Sequence, residues 1–425
     1  MAPSKKFNNK LPMHKRKVEL AVIILIGTFF FSAIYYFSYM KNLPVSPADF
    51  PTINIVSKGE IKKEEYVNCT LELDSEDDSE NILPLNSKIK IRGKFNAELP
   101  KTGYRIELSE AKSLLGMRKD DDWLLLAMYS DLNHMQIKLS LDLYRTLEPT
   151  NPTAILPDSK YVCLNINGEF QGLFLLTEKN DRRLFGLDDA QNSINSSLIF
   201  QSSYFHRNFL TYLNEEWEQD WPNKDEDIFI MDEIMTDLVS FVRDSSDLEF
   251  FDPTTGVYSI FDKQNLIDFF LFNFFILHDD FWDHNYFIVR NSYPSKFFLV
   301  PWDFDRCFGL WLRRESSFDD NHEEFLRANN ELLNRLLNDE EFIQGCRNRW
   351  SYLREQLWTE ESILDMVTDM YEDIKIILEI DSNMWYPYLF EENWDDEVEE
   401  AVDHLYEWIP KRLAFCDNYF QFLNF

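Results

Sequence analysis

Apolar residues run without a charge from Leu20 to Met40, 21 positions in all. A bilayer core needs about 20, so the run predicts a transmembrane helix over 18–40. It is longer than a signal-peptide core, and no clear small-x-small cleavage site follows it. Residues 1–17 carry Lys5, Lys6, Lys10, Lys15, Arg16 and Lys17 and no acid. That asymmetry predicts a cytoplasmic basic tail and a type II, single-pass protein with its main domain outside the cytoplasm. Residues 41–60, with Pro44, Pro47 and Pro51, read as a stem.

The pattern then changes to short alternating runs, and 61–180 reads as a strand-rich lobe. Tyr66–Leu73, Lys88–Arg92, Gly103–Leu108 and Trp123–Ala127 are strand candidates. Lys160–Asn167 and Phe170–Thr177 flank Asn167-Gly168, a strong hairpin signal. Between them Met135, Leu139, Leu143 and Leu147 recur every fourth position, which predicts a helix over 131–147 capped by Asp131. From 181 to 425 helical periods dominate: 232–242, 264–277, 322–337, 340–357, 360–378 and 396–419, the last with a break expected at Pro410. The 264–277 helix is apolar nearly all round and too short to span a membrane, so it reads as a buried core helix.

That helix delivers the chain to two runs that read as strands, Tyr286–Arg290 and Lys296–Val300, with a turn at 291–295 between them. Paired as an antiparallel hairpin, they bring the loop before the first to the loop after the second. The first loop holds Asp279, Asp280, Asp283 and Asn285, and the second holds Asp303 and Asp305. Carboxylates gathered at one place repel, and a cation or a proton must offset that repulsion.

Composition narrows the choices. A hydrophobic fraction of 45% with 16% aromatics supports a sizeable core. With 75 acids against 42 Lys and Arg, the net charge of −33 argues against nucleic acid, whose backbone needs a basic face. It favours a basic partner. Eleven glycines and no GxGxxG or GxxxxGK[ST] stretch exclude the usual dinucleotide and P-loop sites. Five cysteines without a CxxC pair exclude zinc-ribbon and thioredoxin readings and leave one or two disulfides open. Asn68-Cys69-Thr70 and Asn195-Ser196-Ser197 are N-glycosylation sequons.

The spacing of Asp280 and Asn285 is D-x4-N. In kinase-like phosphoryl transfer, an Asp so placed accepts the acceptor hydroxyl's proton and the Asn five residues on holds a metal ion. A second Asp beyond a hairpin, here Asp303, holds metal bridging the nucleotide phosphates. Mg²⁺ is hard and takes oxygen ligands in octahedral array. The competing reading of these acids is helix and turn capping. His278 and His284 read as loop-orienting residues, with a His-bound dinuclear hydrolase site as a further alternative.

KIKIRGKF…LPKTGYRIEL (88–108), DDDWLLLAMYSDLNHMQIKLSLDL (120–143), YVCLNINGEFQGLFLLTEKNDR (161–182), DDFWDHNYFIV (279–289) and FFLVPWDFDRCFG (297–309) together resemble the CotH family of spore-coat atypical protein kinases. The resemblance implies an α+β, two-lobed kinase-like fold, ATP with Mg²⁺ or Mn²⁺, and phosphorylation of Ser or Thr in a protein, here a basic, Ser/Thr-rich one. It implies Asp280 as the catalytic-loop Asp, Asn285 and Asp303 as metal ligands, and Asp305 in support. Lys101 is the expected phosphate-binding cation, with Arg92 and Arg105 as competitors, and Glu178 is expected near the adenine. The chain departs from the family at Lys94, Gln136 and Ile137, in the nucleotide half. The family also allows a catalytically silent surface adhesion protein.

Overall fold

The computed structural model describes residues 47, 50–93, 96–202, 208–209, 217–223, 231–281, 284–312, 314–388 and 394–422. The 1–17 tail and the 18–40 apolar run lie outside these residues. Among the described residues no helix is long and apolar enough to cross a membrane.

Alternation builds the first half. Strands β1 (Thr52–Ser57), β2 (Val67–Asp74), β3 (Ile82–Ile91), β4 (Tyr104–Lys112), β5 (Asp120–Leu126), β6 (Ser159–Ile166) and β7 (Glu169–Glu178) close into a barrel in the order β1-β2-β3-β4-β5-β7-β6. Neighbours are antiparallel except β1 and β6, which run parallel and close the ring. The expected stem is therefore corrected: residues 52–57 form a barrel strand, because Ile53 and Ile55 alternate inward and are buried. The interior is filled by Ile53, Leu71, Ile89, Ile106, Trp123, Leu125, Val162 and Phe174. Strands β5 to β7 are buried on their outer face too, where Leu124, Leu126, Cys163, Leu173 and Leu175 join the main core. Against that face packs helix α1 (Gln136–Arg145), which begins later than expected. Met135 occupies its N-cap without a side-chain bond, while Asp131 Oδ2 accepts from Ile137 N at 3.3 Å inside the helix.

The second half is helical around a four-stranded antiparallel sheet of β8 (Leu198–Ser202), β9 (Trp217–Trp221), β10 (Tyr286–Arg290) and β11 (Phe298–Pro301), in the order β11-β10-β8-β9. Helix α2 spans Met231–Asp244, and α3 spans Lys263–Phe275. Asp262 caps α3, which is buried at every position from Asn265 to Phe275. Its buried polar side chains from Asn265 onward find partners: Asn265 donates to Leu299 O, Asp268 meets Arg349 and Asn151, and Asn273 donates to Phe269 O. Helices α4 (Glu340–Gln356), α5 (Glu360–Trp385) and α6 (Trp394–Phe422) complete the shell. The helix expected over 322–337 is instead two short ones, Glu323–Asn329 and Glu331–Leu336, because Asn330 caps the second. Helix α6 continues through Pro410. Trp408, Ile409 and Leu413 are buried on either side of it, so tertiary packing holds the helix past the missing N–H. All five cysteines are buried, and none forms a disulfide among the described residues.

Candidate active site

The expected antiparallel hairpin forms, with Tyr286 opposite Pro301 and Val289 opposite Phe298; its second strand spans Phe298–Pro301, later than the 296–300 run expected. The hairpin's ends therefore meet, and Trp302 N donates to Asn285 O at 2.8 Å. Two further bonds fasten the loops: Asp279 N donates to Arg306 O at 3.2 Å, and Phe308 N to Ile276 O at 2.6 Å. His278 is buried between them, with Nδ1 at 2.8 Å from Asn273 Oδ1 and Nε2 at 3.1 Å from Asp303 O. Burial holds its pKa down at about 4, so it orients the loop as a neutral ring. Asn285 and Asp303 both sit at left-handed φ, 63° and 66°. Backbone held this way clusters at functional sites, where the surroundings enforce it.

Asp280 is anchored through one oxygen. Its Oδ2 accepts from Arg306 Nη1 at 3.0 Å and lies 3.4 Å from His284 Nε2. Among the described residues Oδ1 has no partner. Burial raises the Asp280 carboxyl, but the His284 hydrogen bond and the Arg306 charge overcome that and leave it below its ordinary range. Asp303 and Asp305 behave oppositely. Asp303 is open to solvent in the cleft, yet it lies deep among protein atoms, and that depth raises its pKa. Asp305 is raised by burial and by the Asp303 charge, and its Oδ2 accepts from Ser130 Oγ at 2.8 Å.

A cleft opens between the barrel and the 302–305 loop, lined by Arg92, Lys101, Gly103, Tyr129, Ser130, Asp303 and Asp305. The charges of Arg92 and Arg306 both bear on these acids, and Arg92 is the one of the two that lines the cleft. The side chains of Asn285 and Asp303 carry no hydrogen bond or ion pair among the described residues, so they present bare oxygen donors. That donor set suits a hard divalent cation, whose charge would reverse the carboxylates' tendency to hold protons. Among the described residues no group of three or more His, Cys, Asp and Glu is arranged around one metal position. Any protein cage here is therefore partial, as for an ion that keeps phosphate and water ligands.

The structure does not bring every expected residue to the cleft. Lys101 lines it but is buried and committed: Nζ donates to Asp381 Oδ1 at 2.7 Å and to Leu173 O. Burial draws the Lys101 pKa down and the Asp381 charge opposes this; the 2.7 Å contact is that of an ammonium–carboxylate pair. Arg105 points elsewhere, in a two-pronged pair with Asp122 at 3.1 and 2.8 Å. Glu178 is buried and accepts from Arg118 N at 2.9 Å and Asp158 N at 3.0 Å, a brace at the end of β7 outside the cleft. Both were expected near nucleotide because charge alone does not reveal which strand face or partner takes a side chain.

Asp381, Ser130 and Arg306 carry roles that residue spacing did not signal. Asp381 accepts from Lys101, Leu173 N and His134 Nε2 at once, so it joins α5 to the barrel. Arg306 stands directly after Asp305, the one local hint of its place.

A barrel with a helical lobe, and between them a cleft floored by paired acids on one hairpin, define a mixed α+β protein with a phosphotransferase-like site. The chain matches the CotH kinase protein family over residues 89–416, and belongs to it. It is 24% identical over 352 residues to the inner spore coat protein H of Bacillus subtilis (strain 168), covering 80% of this chain and 88% of that one. Two solved structures of the Golgi casein kinase, one with Mn/ADP bound, align over 88% of this chain and 74% and 73% of theirs. Their identity is 9%, with TM-scores of 0.27 and 0.26.

Proposed function

We propose that this chain is a protein kinase that transfers the γ-phosphoryl group of ATP to a Ser or Thr hydroxyl of an extracytoplasmic protein. The observation that carries it is the hairpin: Asp280 with one free oxygen and Asn285 at one end meet Asp303 at the other, and Asp303 lines a cleft with Arg92. Asp280 Oδ1 accepts the acceptor hydroxyl's proton as the new P–O ester bond forms and the bond to the leaving ADP breaks. Asn285 and Asp303, with Asp305 behind them, would hold Mg²⁺ or Mn²⁺. Such an ion neutralises charge on the phosphates. Arg92 supplies the cation that Lys101 cannot, because Asp381 holds it. The net charge of −33 favours a basic acceptor protein.

The test is thermal unfolding of the full-length chain with ATP, with and without Mg²⁺ or Mn²⁺. Binding at about 100 times Kd stabilises by about 2.7 kcal/mol. The reading expects stabilisation that needs both nucleotide and metal and is lost in Asp303→Asn. A second reading, a binding or adhesion module that has lost catalysis, draws support from the commitment of Lys101 to Asp381. Absence of any metal-dependent shift would favour it.

The membrane placement rests on the basic tail and the 18–40 apolar run. The sequon residues Asn68 and Asn195 are both exposed, which suits glycosylation in a secretory lumen. A mobility shift on glycosidase treatment, lost in the double Asn→Gln variant, checks this; a protein never glycosylated in its native cell would contradict it.

A further inference from the structure

We propose that Arg306 is a positioning residue for the reaction: it fixes the rotamer of Asp280 so that Oδ1, and not Oδ2, meets the acceptor hydroxyl. The proposal rests on the reading of Asp280 as the acceptor-orienting carboxylate. The Arg306 guanidinium spans two neighbouring carboxylates. Nη1 lies 3.0 Å from Asp280 Oδ2, and Nη2 pairs with Asp279 Oδ2. A planar fork can hold two acceptors at fixed angles, which a lysine ammonium cannot do.

Arg306 is itself immobilised from three sides. Its guanidinium carbon lies 4.7 Å from the centre of the Trp311 ring. Its carbonyl accepts from Asp279 N at 3.2 Å, so the backbone of one loop is tied to the other at the same residue. Its side chain is only 26% exposed. A carboxylate anchored through one oxygen by a residue so constrained has its other oxygen aimed. His284, 3.4 Å from the same Oδ2, adds a second contact and leaves Oδ1 untouched.

Arg306 pairs directly with Asp279 and Asp280 on one loop, while its charge and that of Arg92 reach Asp303 and Asp305 through space. Arg92 lines the cleft and Arg306 is not among its lining residues. Loss of Arg306 should therefore change turnover and leave nucleotide affinity alone.

The experiment measures kcat and KM for ATP of the full-length chain with myelin basic protein as a basic acceptor, for wild type, Arg306→Lys, Arg306→Ala and Asp280→Asn. A misplacement of about 1 Å at such a site costs about 100-fold. Arg306→Lys is expected to lose about 10- to 100-fold in kcat, with KM for ATP within about twofold of wild type. Added guanidinium at millimolar concentration is expected to restore part of the kcat of Arg306→Ala. A kcat within threefold of wild type in both Arg306 variants overturns the proposal, as does a raised KM for ATP with kcat retained. If Arg306→Ala does not fold, Arg306→Lys decides alone. Should Asp280→Asn remain active, the underlying assignment of Asp280 fails. If Asp280→Asn is inactive and the Arg306 variants are not, only the positioning role falls. A wild-type chain that transfers no phosphate sinks both.

Discussion

Lys101 and Asp381 lie 280 residues apart in the chain and 2.7 Å apart in the fold, both fully buried. The pair joins the barrel to helix α5, and His134 contributes a second contact to Asp381 at 2.9 Å. Breaking a buried pair by removing one partner leaves an uncompensated charge and costs about 3–5 kcal/mol. Asp381→Ala is therefore expected to lower the urea unfolding free energy by about that amount. A loss below about 1 kcal/mol, the scale of an exposed pair, would show that the contact carries little of the joint.

Gly172 guards the same contact. Its φ is +95°, and a Cβ there would lie 2.0 Å from Asp381 Oδ1. Gly168, at φ +82°, has nothing within 4 Å of the same position. Alanine at Gly168 should cost only the left-handed conformational penalty, about 1–2 kcal/mol. Alanine at Gly172 should cost that and the displacement of Asp381, and so exceed it clearly in the same unfolding assay. Equal losses at the two sites would mean that Asp381 moves aside freely.

Arg92 and Arg105 separate a cleft residue from a structural one. Arg92 lines the cleft, while Arg105 is held by Asp122. A hydrogen bond to a charged group is worth about 1.5–3 kcal/mol. Arg92→Ala is accordingly expected to raise KM for ATP by at least about tenfold. Arg105→Ala and Glu178→Gln should leave it within about twofold and act on melting temperature instead. Kinetics that show the reverse order would return the phosphate site to Arg105.

Asp131 makes stability depend on pH in an unusual direction. Its carboxyl is fully buried beside α1, and burial raises its pKa from 3.8 to about 6. The folded state thus holds this proton more tightly than the unfolded state. Stability from this group rises as pH falls from about 6 to about 4, and at neutral pH the charged form is a liability of up to about 3 kcal/mol. Asp131→Asn keeps an oxygen for Ile137 N, so it should be more stable than wild type at pH 7.5 and equal to it near pH 4. Urea titrations at the two pH values check this; a variant less stable than wild type at pH 7.5 would contradict it.

Much of the site was legible because its parts are local. The hairpin needs only two strands and a turn, and Asp280, Asn285, Asp303 and Asp305 all lie within 26 residues of one another. The buried α3 helix and the Lys160–Thr177 hairpin were readable for the same reason. What escaped depends on contacts between distant segments. Strand β1 follows a proline-rich stretch and becomes a strand by pairing with β2 and closing on β6. Asp381 is one acid among many on a helix with an acidic surface, and nothing in α5 marks it as the partner of Lys101. Arg105 and Glu178 looked like nucleotide ligands until their own partners, Asp122 and the Arg118 and Asp158 amides, were seen.

The central claim is that the ends of the β10–β11 hairpin form one phosphoryl-transfer site, with Asp303 as its principal metal ligand. Transfer of label from γ-labelled ATP by the full-length chain tests it most directly, comparing wild type with Asp303→Asn, with Mg²⁺ present and after chelation. The account predicts transfer by wild type that requires the metal. It predicts a loss of at least about 100-fold in Asp303→Asn, with the melting temperature unchanged or raised because a carboxylate whose surroundings favour its protonated form has been removed. Asp303→Asn transferring label as well as wild type, or transfer that survives chelation, would contradict it.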